Sequence, residues 1–310
     1  MVRQSLLWLS EQQGVFNFIR TNSLAHKFAA RFVAGETVEE AVDAALELHR
    51  HGMATSLDLL GESVSRESEA AAARDEYLNM LQLLAAGHLD ENVSLKLTQM
   101  GFDVDEDACA RNVRAIVEQA ALHDGFVRLD MESSEYTQRT IDFYFKHIPK
   151  ELQPHCGLVI QSALRRSADD VDLLIERQIR VRLCKGAYLE PDDVAFPDKA
   201  DVDRTYVEMM ERLLADGNYP GIATHDERII DHATKFVEQQ GIPPERYEFQ
   251  MLYGVRRDLQ RQLHAAGHHL RVYVPFGRQW YPYLMRRLAE RPANIAFMLG
   301  NIVRESVPHS

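Results

Sequence analysis

The chain has 310 residues, with 47 acidic against 35 basic side chains and a net charge of −12. An acidic chain without a sustained Lys/Arg run offers little to nucleic-acid phosphates, and no stretch approaches the roughly 18 uncharged apolar residues that would span a bilayer. Three cysteines (Cys109, Cys156 and Cys184) lack CxxC spacing and indicate neither a zinc site nor a disulfide framework. The opening MVRQSLLWLSEQQG has an apolar run too short for a signal peptide. A cytoplasmic or membrane-surface protein is expected. At roughly 150 residues per domain the length suggests two domains, but single α/β barrels of about 250 residues are a standing exception.

The first fifty residues read as a helical segment, 1–50, packed on the remainder, 51–310. The run AHKFAARFVAG, residues 25–35, reads as a helix ending at a glycine. Thr37 followed by Glu40 fits a capping box for the next helix, whose apolar Val38, Ala41, Ala44, Ala45 and Leu48 share a face. Beyond Gly52, short apolar or β-rich runs alternate with longer stretches of helical period. The runs fall at 54–60, 93–97, 126–131, 157–161, 180–184, 221–225, 247–252 and 271–276. Helical patterns stand at 108–123, 168–178, 204–217, 227–241, 255–267 and 281–291. Acidic residues Asp103, Asp105, Glu106 and Asp107 suit the positive end of a helix; they lack the glycine and terminal glutamate of a calcium loop. Strands separated by helices pair in parallel through right-handed crossovers, and eight such units predict a closed (β/α)8 barrel. An open doubly wound sheet is the alternative, without a GxGxxG turn to support it.

A barrel of this kind places its site at the C-terminal strand ends. Those ends carry Asp58 and Glu62, Lys96, Asp130 and Glu132, Gln161, Arg182 with Lys185 and Tyr188, Thr224 with His225 and Asp226, Gln250 with Leu252, and Tyr273. On the last helix Tyr283, Arg286, Arg287 and Glu290 stand at i, i+3, i+4 and i+7. The two arginines could fork onto a carboxylate, or could face water beside their glutamate. Tyr273 and Tyr283 could wall a small ring or simply pack. In RVRLCKGAY the cations could meet a phosphate or an electron-rich ring, or snorkel from a capped strand, and Gly186 allows close approach of the backbone to a ligand. His225 and Asp226 are capable of metal binding, but no HxxxH or HExxH accompanies them. The pairs His51–Gly52 and His268–His269 read as surface helix ends.

Taken in order, LDLLGE (57–62), VSLKL (93–97), LDMES (129–133), RVRLCKGAY (180–188), ATH (223–225), FQMLYG (249–254), RVYVPFG (271–277) and YLMRRLAE (283–290) resemble the proline dehydrogenase family, in its monofunctional bacterial form. The resemblance runs over roughly residues 50–300. It implies a distorted (β/α)8 barrel with extra N-terminal helices, noncovalent FAD, and oxidation of L-proline to 1-pyrroline-5-carboxylate by hydride transfer to flavin N5. Arg286, Arg287 and Lys96 match residues holding the substrate carboxylate, and Tyr273, Tyr283 and Leu252 match the wall around the pyrrolidine ring. Asp130 and Glu290 match acids that position this shell, and Glu62 matches a gate carboxylate. Arg182 matches the arginine beside flavin N5; Gln161, Lys185, Gly186, Ala187, Lys199, Thr224 and His225 match positions lining FAD. Asp226 stands where many relatives have Asn, and Leu189 where many have Trp. The resemblance further implies a membrane quinone as electron acceptor, peripheral contact with the inner face of the membrane, and hand-over of product to a separate pyrroline-5-carboxylate dehydrogenase. A cationic pocket would favour the neutral substrate amine, so kcat/KM is expected to rise with pH. A flavin-free lyase or aldolase using Lys185 or Lys96 as Schiff-base nucleophile is the competing expectation.

Overall fold

Residues on alternate positions of a strand face opposite ways, and here the two sets differ in chemistry. One set is Leu57, Leu59, Val93, Leu95, Val127, Leu129, Leu158, Ile160, Val181, Leu183, Ile222, Phe249, Met251, Val272, Val274 and Phe276, all buried in one hydrophobic core. The other set is Ser56, Asp58, Ser94, Arg128, Gln161, Arg182, Glu248, Gln250 and Arg271, buried and polar. Closing the sheet on itself buries both sets, with the apolar set against surrounding helices and the polar set inside.

A computed structural model of the protein, describing residues 30–284, shows that closure. In chain order the elements are α1 (Val38–Arg50), β1 (Ala54–Leu59), α2 (Glu67–Ala86), β2 (Asn92–Leu95), α3 (Glu106–Ala121), β3 (Phe126–Leu129), α4 (Ser134–His147), β4 (Cys156–Gln161), α5 (Ser167–Glu176), β5 (Val181–Cys184), α6 (Lys199–Asp216), β6 (Gly221–Ala223), α7 (Glu227–Gln240), β7 (Glu248–Leu252), α8 (Arg257–Ala265) and β8 (Leu270–Phe276). The strands form a closed barrel in sequential order, every pair parallel, and β8 returns to β1 with Ser56 opposite Tyr273. The expected barrel is therefore observed, and the doubly wound alternative is excluded.

The helix starts follow local chemistry. Thr37 Oγ1 accepts from the Glu40 amide at 3.3 Å while Glu40 Oε2 accepts from the Thr37 amide at 3.1 Å, the reciprocal capping box of α1. Asp105 caps α3 by accepting from the Ala108 amide at 2.7 Å, which settles the acidic cluster as a helix start. Three expectations are corrected. Residues 30–33 form a turn and bend instead of finishing a helix to Gly35, and the chain turns at Gly35, φ +94, two residues before the α1 cap Thr37; residues 25–29 lie outside the described residues. The helices α2 and α4 stand where no periodic run was named. His268 is half-buried, bonded to the Tyr247 hydroxyl at 2.8 Å, and not a surface helix end.

At the N-terminal floor of the barrel, Arg271 donates from Nε to both Glu248 oxygens, at 2.9 and 3.0 Å, and from Nη1 to the Thr55 carbonyl at 2.7 Å and to Asp90. Burial opposes ionisation of Glu248, but Arg271, Gln250 and Arg128 outweigh it and hold the carboxyl below its ordinary range. Stability from this pairing is thus complete above the unfolded value of 4.5 and is lost as pH falls below it. Arg271→Met should cost about 3–5 kcal/mol in urea unfolding, since it strands a buried carboxylate; a loss under 1 kcal/mol would show that the floor is not so paired.

Candidate active site

The polar interior rises from that floor to the C-terminal mouth. Arg182 is only 5% exposed, and its guanidinium reaches across the lumen to three strands that do not adjoin β5. Nε donates to Gln250 Oε1 of β7 at 2.5 Å, Nη1 to Asp130 Oδ1 just past β3 at 2.6 Å, and Nη2 to Ser94 Oγ of β2 at 3.0 Å. It does not snorkel. The other Asp130 oxygen, Oδ2, accepts from the Tyr273 hydroxyl of β8 at 2.8 Å, and the Arg182 guanidinium lies 5.1 Å from the centre of the Tyr273 ring. Burial, followed by the charges of Asp130 and Asp58, keeps Tyr273 a neutral phenol well above its ordinary range.

Beside this cluster Lys96 Nζ donates to Asp58 Oδ1 at 3.3 Å. Burial alone would favour the free amine, but Asp58 and Asp130 outweigh it and hold Lys96 protonated above its usual range. Asp58 is 1% exposed, and its Oδ2 has no hydrogen-bond partner among the described residues.

A second group lies along the mouths of β4 to β6. Gln161 Nε2 donates to the Glu132 carbonyl at 2.8 Å. Gly186, at φ +104, packs closely on Gln161: a Cβ there would meet Gln161 Oε1 at 3.2 Å. Ala187 follows it, half-buried. Lys185 Nζ pairs with Asp203 at 2.6 Å and Asp226 at 2.9 Å; Lys199, on the first turn of α6, pairs with Asp203 and lies 3.6 Å from Asp226. Thr224 Oγ1 accepts from the Asp226 amide at 3.1 Å. His225 Nε2 accepts from the Leu252 amide at 2.9 Å, which places the proton of the neutral ring on Nδ1 and ties the β6 and β7 ends together.

Around the mouth, Leu252 and Glu62 are half-buried and Tyr283 is buried. Residues 280–284 are helical, as read from the sequence; Arg286, Arg287 and Glu290 lie outside the described residues. No group of three or more metal-capable side chains occurs among the described residues. Sequence reasoning did not single out Ser94, Glu248, Arg271 or Asp203. Their only advance signal is polarity at every second position of an otherwise apolar strand, and for Asp203 not even that.

The family model described as proline dehydrogenase matches residues 41–299. The chain belongs to the proline dehydrogenase family. It is 40% identical to the proline dehydrogenase of Deinococcus radiodurans over 307 residues, covering 98% of each chain. It is 38% identical to proline dehydrogenase 1 of Bacillus subtilis strain 168, covering 98% of this chain and all of that one. The crystal structure of proline utilization A from Bdellovibrio bacteriovorus, inactivated by N-propargylglycine, superposes with a TM-score of 0.81 at 26% identity. That match covers 91% of this chain and 34% of the other. Membership makes the chain an enzyme, a proline dehydrogenase of the single-activity size.

For a proline dehydrogenase the pairing of Lys96 with Asp58 has a structural cost attached. Lys96→Met should destabilise the protein by about 3 kcal/mol, because Asp58 is left buried without a counter-charge. Adding Asp58→Asn should recover most of that loss in urea unfolding; no recovery would mean the pair is not the source.

Proposed function

We propose that this site oxidises L-proline to 1-pyrroline-5-carboxylate with noncovalently held FAD. The observation that carries the reading is a buried guanidinium, Arg182, that reaches across the lumen to Asp130 at the C-terminal end of β3. The donor set fits a flat heterocycle with polar edges: Arg182, Gln161, Thr224 and His225 line neighbouring strand ends, with Lys185, Gly186, Ala187 and Lys199 beside them. When bound, FAD supplies the two-electron acceptor that side chains lack, taking hydride from proline C5 at its N5.

This chain's residues do the rest. Arg182 places a fixed positive charge where negative charge develops on reduction. Lys96, held as an ammonium, faces the substrate carboxylate together with Arg286 and Arg287. Tyr273, Tyr283 and Leu252 wall the pyrrolidine ring, and the His225 bond to the Leu252 amide sets the position of that wall. Asp130 orients both Arg182 and Tyr273. Glu290 positions the two arginines, and Glu62 gates entry by pairing with a cation of the carboxylate site. Electrons then pass to a membrane quinone at the inner face of the membrane, and the product goes to a separate pyrroline-5-carboxylate dehydrogenase in the cytoplasm. Among the described residues no helix is long and apolar enough to cross a membrane, so the proposed contact is peripheral. The Schiff-base reading is not favoured, since Lys96 is held protonated and the Lys185 ammonium is engaged by two carboxylates, whereas a nucleophile needs a neutral amine.

Purified protein should be yellow and should bleach with L-proline under anaerobic conditions; a folded, colourless protein that takes up no FAD overturns the reading. Arg286→Met and Arg287→Met should each raise KM for proline by roughly 30- to 150-fold, the equivalent of about 2–3 kcal/mol for a charged hydrogen bond. Steady-state kinetics with an unchanged KM in both would remove the carboxylate assignment. Asp226 neutralises Lys185 and Lys199 at the proposed cofactor rim while also accepting from the Arg228 amide. Asp226→Asn keeps that cap and frees positive charge for a pyrophosphate, so FAD should bind about fivefold tighter at low salt, on the order of 1 kcal/mol. Equal or weaker binding by fluorescence titration would show that these lysines do not meet the cofactor.

A further inference from the structure

Among the described residues three arginines lie inside the barrel: Arg128 donates only to backbone carbonyls, and the other two face carboxylates unequally. On the floor, Arg271 faces two carboxylates, Glu248 and Asp90. At the mouth, Arg182 faces one carboxylate among the described residues, Asp130, which it shares with the Tyr273 hydroxyl; its other two partners are the neutral Gln250 amide and the Ser94 hydroxyl. Gln250 joins the two centres. Its Nε2 donates to Glu248 Oε1 at 2.5 Å, and its Oε1 accepts from Arg182 Nε at 2.5 Å. The amide has one possible orientation, because a guanidinium only donates and a carboxylate only accepts, so a flip would break both bonds. A Cβ on Gly221 of β6 would overlap the Gln250 terminal amide, so that glycine leaves just the space Gln250 occupies. Gln250 is 4% exposed and Glu248 2%.

We propose that Gln250 is a positioning residue that aims Arg182 at the mouth from the barrel floor while withholding a second carboxylate from it. Orientation passes up the chain Arg271–Glu248–Gln250–Arg182, but the negative charge of Glu248 stays one side chain away. Arg182 therefore keeps a net positive field toward the bound isoalloxazine, which favours the reduced, negatively charged ring. This rests on the FAD reading above. A carboxylate at position 250 would make Arg182 as fully neutralised as Arg271 and would disfavour reduction.

The test uses holoenzymes of wild type, Gln250→Glu, and the exchange Glu248→Gln with Gln250→Glu. The exchange keeps the buried charge and the bonding sequence, with the amide at 248 donating to the carboxylate at 250, and it carries the decision where the single variant fails to fold. The two-electron midpoint potential of the flavin is measured by anaerobic dye equilibration, beside kcat and KM for proline. The expected result is a potential more negative by at least a tenfold change in the equilibrium, about 30 mV, with kcat reduced and KM within about twofold. A variant that is folded and FAD-loaded but holds the wild-type potential overturns the proposal, even with lowered thermal stability, since a merely structural role would do that. Failure of the wild type itself to bind FAD defeats the parent reading, and the proposal with it, and is seen before any variant is made.

Discussion

A parallel barrel whose lumen is lined with charge needs counterparts for that charge, supplied across the lumen or, as for Arg128, by backbone carbonyls. The chain of contacts from Arg271 through Glu248, Gln250, Arg182 and Asp130 to Tyr273 satisfies that requirement with groups from β3, β5, β7 and β8. Each member is buried or nearly so, and removing one leaves its neighbour uncompensated in a medium that screens poorly. The lumen of many barrels is filled with branched apolar side chains. Here that task passes to the outer layer, where the apolar set of strand residues meets the helices.

The lumen arginines are matched unequally. Arg271 is held by two carboxylates and the Thr55 carbonyl, and Arg182 meets one carboxylate among the described residues. Among the same residues Arg128 donates only to backbone carbonyls and leaves its Nε unpartnered, as Asp58 leaves its Oδ2. Unspent hydrogen-bonding capacity at the open end of a rigid scaffold is what a polar substrate can use, and rigidity limits the reorganisation needed when charge develops.

Several elements were readable before any coordinates. The capping box at Thr37 and Glu40 and the cap at Asp105 depend on residues three apart, so local chemistry suffices. The strands were readable because each is a short buried run between helical stretches; their ends shifted, as in β2, which starts at Asn92 and stops at Leu95, because hydrogen bonding to neighbours ends a strand and composition does not. The helix α2 went unnamed because its first half, ESEAAAARDE, lacks an apolar stripe, and it is the packing of Tyr77, Met80, Leu81 and Leu84 that holds it in place.

What the sequence by itself determined is therefore the alternation of elements, the polarity of every second strand position, and the family, through motifs in a fixed order. Only the tertiary structure decided the partnerships. Arg182 lies 52, 68 and 88 residues from Asp130, Gln250 and Ser94, and no local rule says which acid a buried arginine will meet. Closure of β8 onto β1 brings these side chains into one lumen, where the low dielectric forces each charge to choose a partner within a few ångströms.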